Sequence, residues 1–143
     1  MAVHNSSSGA IQDLVVGASR EHTVIPVVTR TQIVQYAGAS GDYSPLHTDE
    51  PHAAQAGYPS VMAHGMLAMG AAERLLADWV GRERLTRYGV RFIHPVWPGD
   101  SLHAVATVRD VRHSADGTIV DLDILATNQH GTAVLSGSAT ARI

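Results

Sequence analysis

Residues Met62 to Val80 most limit how this chain can fold. Met66, Met69, Leu75, Leu76 and Trp79 project several ways round a helix, and alanines and glycines fill most remaining positions. A helix apolar on most sides is buried. Its small residues let a sheet approach closely, and Gly81 is a natural stop. The stretch therefore predicts one long central helix that the rest of the chain must cover.

The chain beyond the helix reads as strands. Leu85 to His94 is the first, closed by the breaker-rich turn Pro95-Val96-Trp97-Pro98-Gly99-Asp100. From Leu102 to Val111 the pattern alternates, with Leu102, Ala104, Ala106 and Val108 on one face and His103, Thr107 and Arg109 on the other. Asp116-Gly117 suits a tight hairpin turn. Thr118 to Thr127 and Thr132 to Ile143 supply two more strands, separated by Asn128-Gln129-His130-Gly131. Consecutive hairpins imply antiparallel pairing.

Before the helix, Glu21 to Thr29 is β-branched and apolar, which predicts a strand. Pro26 lacks an amide donor and consigns that strand to an edge or a bulge. A short helix capped at Thr29 or Thr31 comes next, with Ile33, Val34 and Ala37 as its apolar stripe and Gly38 or Gly41 as its end. Thr48 or Asp49 caps a second short helix that tolerates Pro51 in its first turn. The economical arrangement is α+β: an antiparallel sheet wrapped around one helix.

A chain of 143 residues, 45% hydrophobic and 16% charged, suits one domain with a sizeable core. Residues 1–15 read as a flexible N-terminal arm and 16–143 as the single domain. The Ser-rich start lacks the basic-then-apolar order of a signal peptide, and no apolar run reaches the ~18 residues that span a bilayer. A net charge of −3 with ten Lys plus Arg argues against nucleic-acid and membrane partners. Having no cysteine, the chain has no thiolate nucleophile or thiolate metal site. That is compatible with the cytoplasm, the expected location.

The chemistry gathers between Ser40 and Met66. Asp42 and His47 sit five residues apart across a Gly- and Pro-broken segment, which can fold back to aim both side chains into one cavity. An Asp beside a His orients the imidazole, and together they can polarise one water and manage two protons. Alone, the same residues read more plainly as a turn-capping Asp and a surface His. Gly65 sits near the start of the central helix. First-turn amides there lack intrahelical partners and suit an oxyanion, although a glycine there also serves close packing. Met62 and Met66 suit an irregular acyl tunnel as well as a core. Trp97 fits either a pocket rim or packing under its loop. Among nine histidines, His47, His52 and His64 lie nearest one another, with Asp42 and Asp49 among them, but no pair has the spacing of HExxH. Neither a metal nor a cofactor is expected.

Tyr36-Ala37-Gly38-Ala39-Ser40-Gly41-Asp42-Tyr43-Ser44-Pro45-Leu46-His47-Thr48-Asp49 resembles the hydratase motif of the MaoC-like, (R)-specific enoyl-CoA hydratase family. Ala63-His64-Gly65-Met66-Leu67 is similar to the family's second motif, and Val90 to Asp100 to its strand-and-turn signature. Three motifs in register are more specific than any one. The resemblance implies a hot-dog fold, a dimer with joined sheets, and thioester pockets at the subunit interface. It implies Asp42 and His47 as the catalytic pair and the Gly65 amide as donor to the thioester oxygen. Ser44, Met62 and His64 would complete the substrate contacts. The family motif often has Asn where this chain has Ser44, and serine cannot reproduce both amide contacts.

The implied reaction is reversible hydration of a trans-2-enoyl thioester, carried on coenzyme A or an acyl carrier protein, to the (R)-3-hydroxyacyl product. Alternatives are a hot-dog thioesterase, or the active subunit of a heterodimeric dehydratase in place of a homodimer.

Overall fold

A computed structural model describes residues 13–143. Residues 1–12 of the expected arm lie outside the described residues. Leu14, also assigned to that arm, is instead buried in the core cluster. Gly17 N–H donates to the Val108 carbonyl and fixes the chain on entry, so the packed chain starts before residue 16.

Strand β1 (Ser19–Ile25) is followed by helix α1 (Arg30–Ser40), a 3-10 turn (Pro45–His47), helix α2 (Glu50–Gln55) and helix α3 (Gly65–Val80). Strands β2 (Leu85–Phe92), β3 (Leu102–Ser114), β4 (Gly117–Thr127) and β5 (Ala133–Arg142) complete the chain. The five strands form one antiparallel sheet in the order β1-β3-β4-β5-β2. β1 is an edge strand, stops before Pro26 and slips register between Thr23 and Ile25. Its end falls short of the Thr29 that the sequence pattern suggested. Beyond Pro26, Val28 leaves the sheet and exchanges backbone hydrogen bonds with the Gly99–Asp100 turn.

The core lies between α3 and the inner sheet face. Leu102, Ala104, Ala106 and Val108 are all buried there, as their alternation requires. They meet Ala68, Ala72, Leu75, Leu76 and Trp79 of α3. Alanines on the sheet-facing side bring the helix close to the sheet. The helix is not enclosed all round, however. Met66 is 55% exposed, and the Met66–Gly70–Arg74 side borders an open cleft of about 550 Å³.

α3 also begins three residues later than expected. Met62 N–H donates to the Leu46 carbonyl and Ala63 N–H to the Val96 carbonyl. These tertiary bonds hold Met62–His64 extended, and His64 becomes the residue preceding the helix. The Val96 side of this tie is rigid because Asp100 is buried. Its carboxylate accepts from Trp97 N–H at 2.9 Å and from the Gln129 amide at 2.8 Å. Trp97 itself is half-buried against Tyr58. The Pro-rich turn thus positions the start of α3.

Candidate active site

Backbone constraints bring three distant segments together. α1 opens with a capping box: Thr29 Oγ1 accepts from Gln32 N–H, and Gln32 Oε1 accepts from Thr29 N–H. It closes at Gly41, whose φ of 75° lies in the left-handed region that glycine enters without steric cost. The chain turns there and presents Asp42. Asp42 N–H donates to Ser40 Oγ, and one oxygen of its carboxylate accepts from Ser44 N–H at 3.2 Å. Pro45 then starts the 3-10 turn that carries His47.

His47 is fixed from the third segment. Its Nδ1–H donates to the Met62 carbonyl at 2.7 Å. The neighbouring Met62 N–H to Leu46 bond makes this a two-way clasp. With the proton on Nδ1, the lone pair of His47 is on Nε2. That atom lies 3.7 Å from the second carboxylate oxygen of Asp42. The gap exceeds direct hydrogen-bonding distance and suits a small oxygen held by both groups. The His47 side chain is 12% exposed and that of Asp42 53% exposed, so the pair is open from the Asp42 side.

Gly65 is the first residue of α3, and its N–H has no hydrogen-bond acceptor among the described residues. A Cβ at this position would lie 3.1 Å from the Phe92 ring. Glycine therefore lets Phe92 of β2 close over the helix start. A cleft of about 340 Å³ adjoins it, lined by Met62, Gly65, Ala68, Phe92, Val96 and Val134 among others. Among the residues singled out from sequence, Met62 and Gly65 line this cleft, whereas Met66 lines the larger one across α3.

Ser44 and His64 both make bonds within the site. Ser44 acts here through its backbone, as donor to Asp42 and as acceptor from His47 N–H. His64 is 2% exposed. Its Nε2–H donates to the Asp42 carbonyl at 3.0 Å, and its ring stacks on His47 with centroids 3.7 Å apart. The sequence drew attention to Asp42, His47 and Gly65 but not to this stack, nor to Phe92 or Asp100. His64 was singled out from sequence as a substrate contact rather than as a partner of Asp42 and His47.

Asp42, His47 and His64 place one ligand-type atom each within 4.8 Å of one another. His52 and Asp49 are exposed and outside that group. The geometry does not fit a shared metal. The two imidazoles are stacked 3.7 Å apart and inclined by only 21°, so no nearby point lies in both ring planes. An ion ~2.1 Å from both nitrogens would sit well out of each ring plane.

The antiparallel sheet around α3 defines a hot-dog domain of the α+β class, with an acid–imidazole pair beside the glycine-started helix. Residues 13–129 match the model of the MaoC like domain, and the chain belongs to that family. It is similar to the mitochondrial 3-hydroxyacyl-[acyl-carrier-protein] dehydratase of Arabidopsis thaliana, with 28% identity over 116 residues, 80% of this chain and 70% of that one. It is 40% identical over 70 residues to 3-hydroxyacyl-thioester dehydratase X of Mycobacterium tuberculosis, 48% of this chain and 24% of that one. Among solved structures, the (R)-hydratase from A. caviae involved in PHA biosynthesis superposes with a TM-score of 0.81 at 25% identity, covering 92% of this chain and 98% of that one. The chain spans 24% of 3-hydroxyacyl-thioester dehydratases X and Y of Mycobacterium tuberculosis and 6% of a fatty acid synthase beta subunit of Emericella nidulans.

Proposed function

We propose that this protein is a hydro-lyase that adds water reversibly across the C2=C3 bond of trans-2-enoyl thioesters, giving (R)-3-hydroxyacyl thioesters. The observation that carries the reading is the Asp42–His47 pair. His47 Nε2 faces the Asp42 carboxylate across 3.7 Å, near an α3 start whose Gly65 amide is unengaged among the described residues.

In this mechanism one water hydrogen-bonds to both His47 Nε2 and Asp42. As its oxygen bonds to C3, one O–H proton passes to Nε2. The C2=C3 electrons shift toward the thioester and place negative charge on its oxygen. The Gly65 N–H, with the positive end of the α3 dipole behind it, stabilises that charge. The imidazolium, steadied by the Asp42 carboxylate, returns its proton to C2 on the same face. Water is consumed, both its hydrogens are accounted for, and His47 regains its lone pair. The cleft lined by Met62 and Phe92 receives the acyl chain.

The carrier is coenzyme A or an acyl carrier protein. We take the working unit as a homodimer, with a heterodimer as the alternative. Phe92 and Ile93, 50% and 43% exposed at the end of the edge strand β2, support a partner there. Among the described residues no helix is long and apolar enough to cross a membrane, and we assign the protein to the cytoplasm.

The test is loss of the conjugated enoyl-thioester absorbance across acyl lengths, on both carriers, with the purified chain. Hydration that disappears in Asp42→Asn and His47→Gln supports the reading. Full activity in both variants, or thiol release from saturated acyl-CoA alone, defeats it.

A further inference from the structure

His64 combines features that core packing does not require. It is nine-tenths buried and more, yet polar. Its Nδ1 has no hydrogen-bond partner among the described residues. A buried acceptor without a donor is destabilising, and a phenylalanine would fill similar space without one. Three contacts of the ring bear on the catalytic pair or on its support. Nε2–H donates to the main-chain carbonyl of Asp42 at 3.0 Å. One ring face stacks on His47 at 3.7 Å. Tyr36, from the last turns of α1, packs against the same imidazole at 4.8 Å.

We infer that His64 is a positioning residue, which sets the Asp42–His47 separation by gripping Asp42 through its backbone and His47 through its ring. The inference rests on the proposed hydratase reading. Asp42 follows a left-handed glycine in an irregular loop, and its carboxylate is 53% exposed. Local bonds to Ser40 and Ser44 shape that loop but do not tie it to α3. The His64 bond supplies the tie across 22 residues of sequence. His47 is fixed in its plane by the Met62 carbonyl, which leaves tilt about that bond free. The stacked ring limits the tilt.

The requirement is for a planar ring and an N–H at one place, so it can be divided. His64→Phe keeps a ring but donates nothing. His64→Gln keeps a donor without the stack. Because misplacement by about 1 Å can cost roughly 10²-fold in turnover, each variant is expected to lose kcat by about that factor. KM for a short trans-2-enoyl-CoA should stay within about twofold, since His64 is buried behind the pair. A purely structural role would lower the melting temperature without that split.

Wild-type kcat in a folded His64→Phe overturns the inference. So does a long-range 1H–15N spectrum of the wild-type protein that places the His64 proton on Nδ1, because donation to Asp42 requires it on Nε2. If His64→Phe does not fold, His64→Gln and the wild-type spectrum decide. Asp42→Asn and His47→Gln serve as controls. Activity in both controls sinks the hydratase reading, whereas inactive controls beside a fully active His64→Phe sink only the positioning role.

Discussion

His47 Nε2 and the Asp42 carboxylate face each other across 3.7 Å, although the two residues reach that point by different routes. Asp42 is delivered by the glycine end of α1, and His47 by a 3-10 turn clasped to Met62. The imidazole nitrogen can take up and return a proton, and the carboxylate lies beside it.

Removing either half should therefore cost turnover more than stability. Asp42→Asn is isosteric, and His47→Gln keeps a polar side chain of similar reach without the ring. General acid–base groups typically contribute 10²–10⁴-fold, so kcat should fall by about that range. The far-ultraviolet circular dichroism and the melting temperature should be close to wild type. Rate assays and thermal melts on the same preparations check this.

Gly65→Pro isolates the amide. Proline is tolerated at the first helical position, and the preceding His64 has φ −63° and ψ 136°, a conformation compatible with a following proline. The Phe92 ring must shift by a few tenths of an ångström, which its 50% exposure allows. The helix should persist while the N–H is lost, with a fall of about 10²–10³-fold in kcat. Unchanged kcat in a folded variant would remove Gly65 from the mechanism.

Gly137 should be intolerant for a structural reason. It pairs with Val90 in the β2–β5 ladder, and a Cβ there would run into the Gly89 carbonyl and come within 2.7 Å of the Val90 Cα. Both obstacles are backbone and cannot rotate away. Gly137→Ala should destabilise by about 2 kcal/mol or more, measured by urea denaturation. Because β2 carries Phe92 over Gly65, activity should also decline.

The outer sheet face holds an acid-sensitive contact. Asp121 accepts from Arg112 at 2.6 Å and from the Thr140 hydroxyl at 2.8 Å. The Arg112 guanidinium, aided by Thr140, holds the carboxyl below its ordinary value of about 3.9. A depressed folded-state value means that the contact stabilises the protein above about pH 4 and fades as pH falls toward the folded value. Asp121→Asn should lower the melting temperature at pH 7, and the deficit should shrink by pH 3. A deficit independent of pH would contradict the assignment.

Much of the fold was legible because periodicity records burial. The alternation at Leu102, Ala104, Ala106 and Val108 specified the inner face of β3, and the Met62–Val80 run specified a central helix. Pro26 marked an edge strand because a missing donor cannot be hidden within a sheet. The motif around Asp42 and His47, in register with Gly65, pointed to the segments that meet. Such features depend on neighbours in sequence, so the sequence alone determined them.

Tertiary structure decided the remainder. α3 starts at Gly65 because Leu46 and Val96 hold Met62–His64 extended, and no local signal encodes those partners. β2 pairs with β5 rather than with β3, its successor in the chain. His64, which reads from sequence as a substrate contact, turns inward to Asp42 and His47. Hydrogen bonds and stacking between residues far apart in the chain depend on distances that only the packed fold establishes.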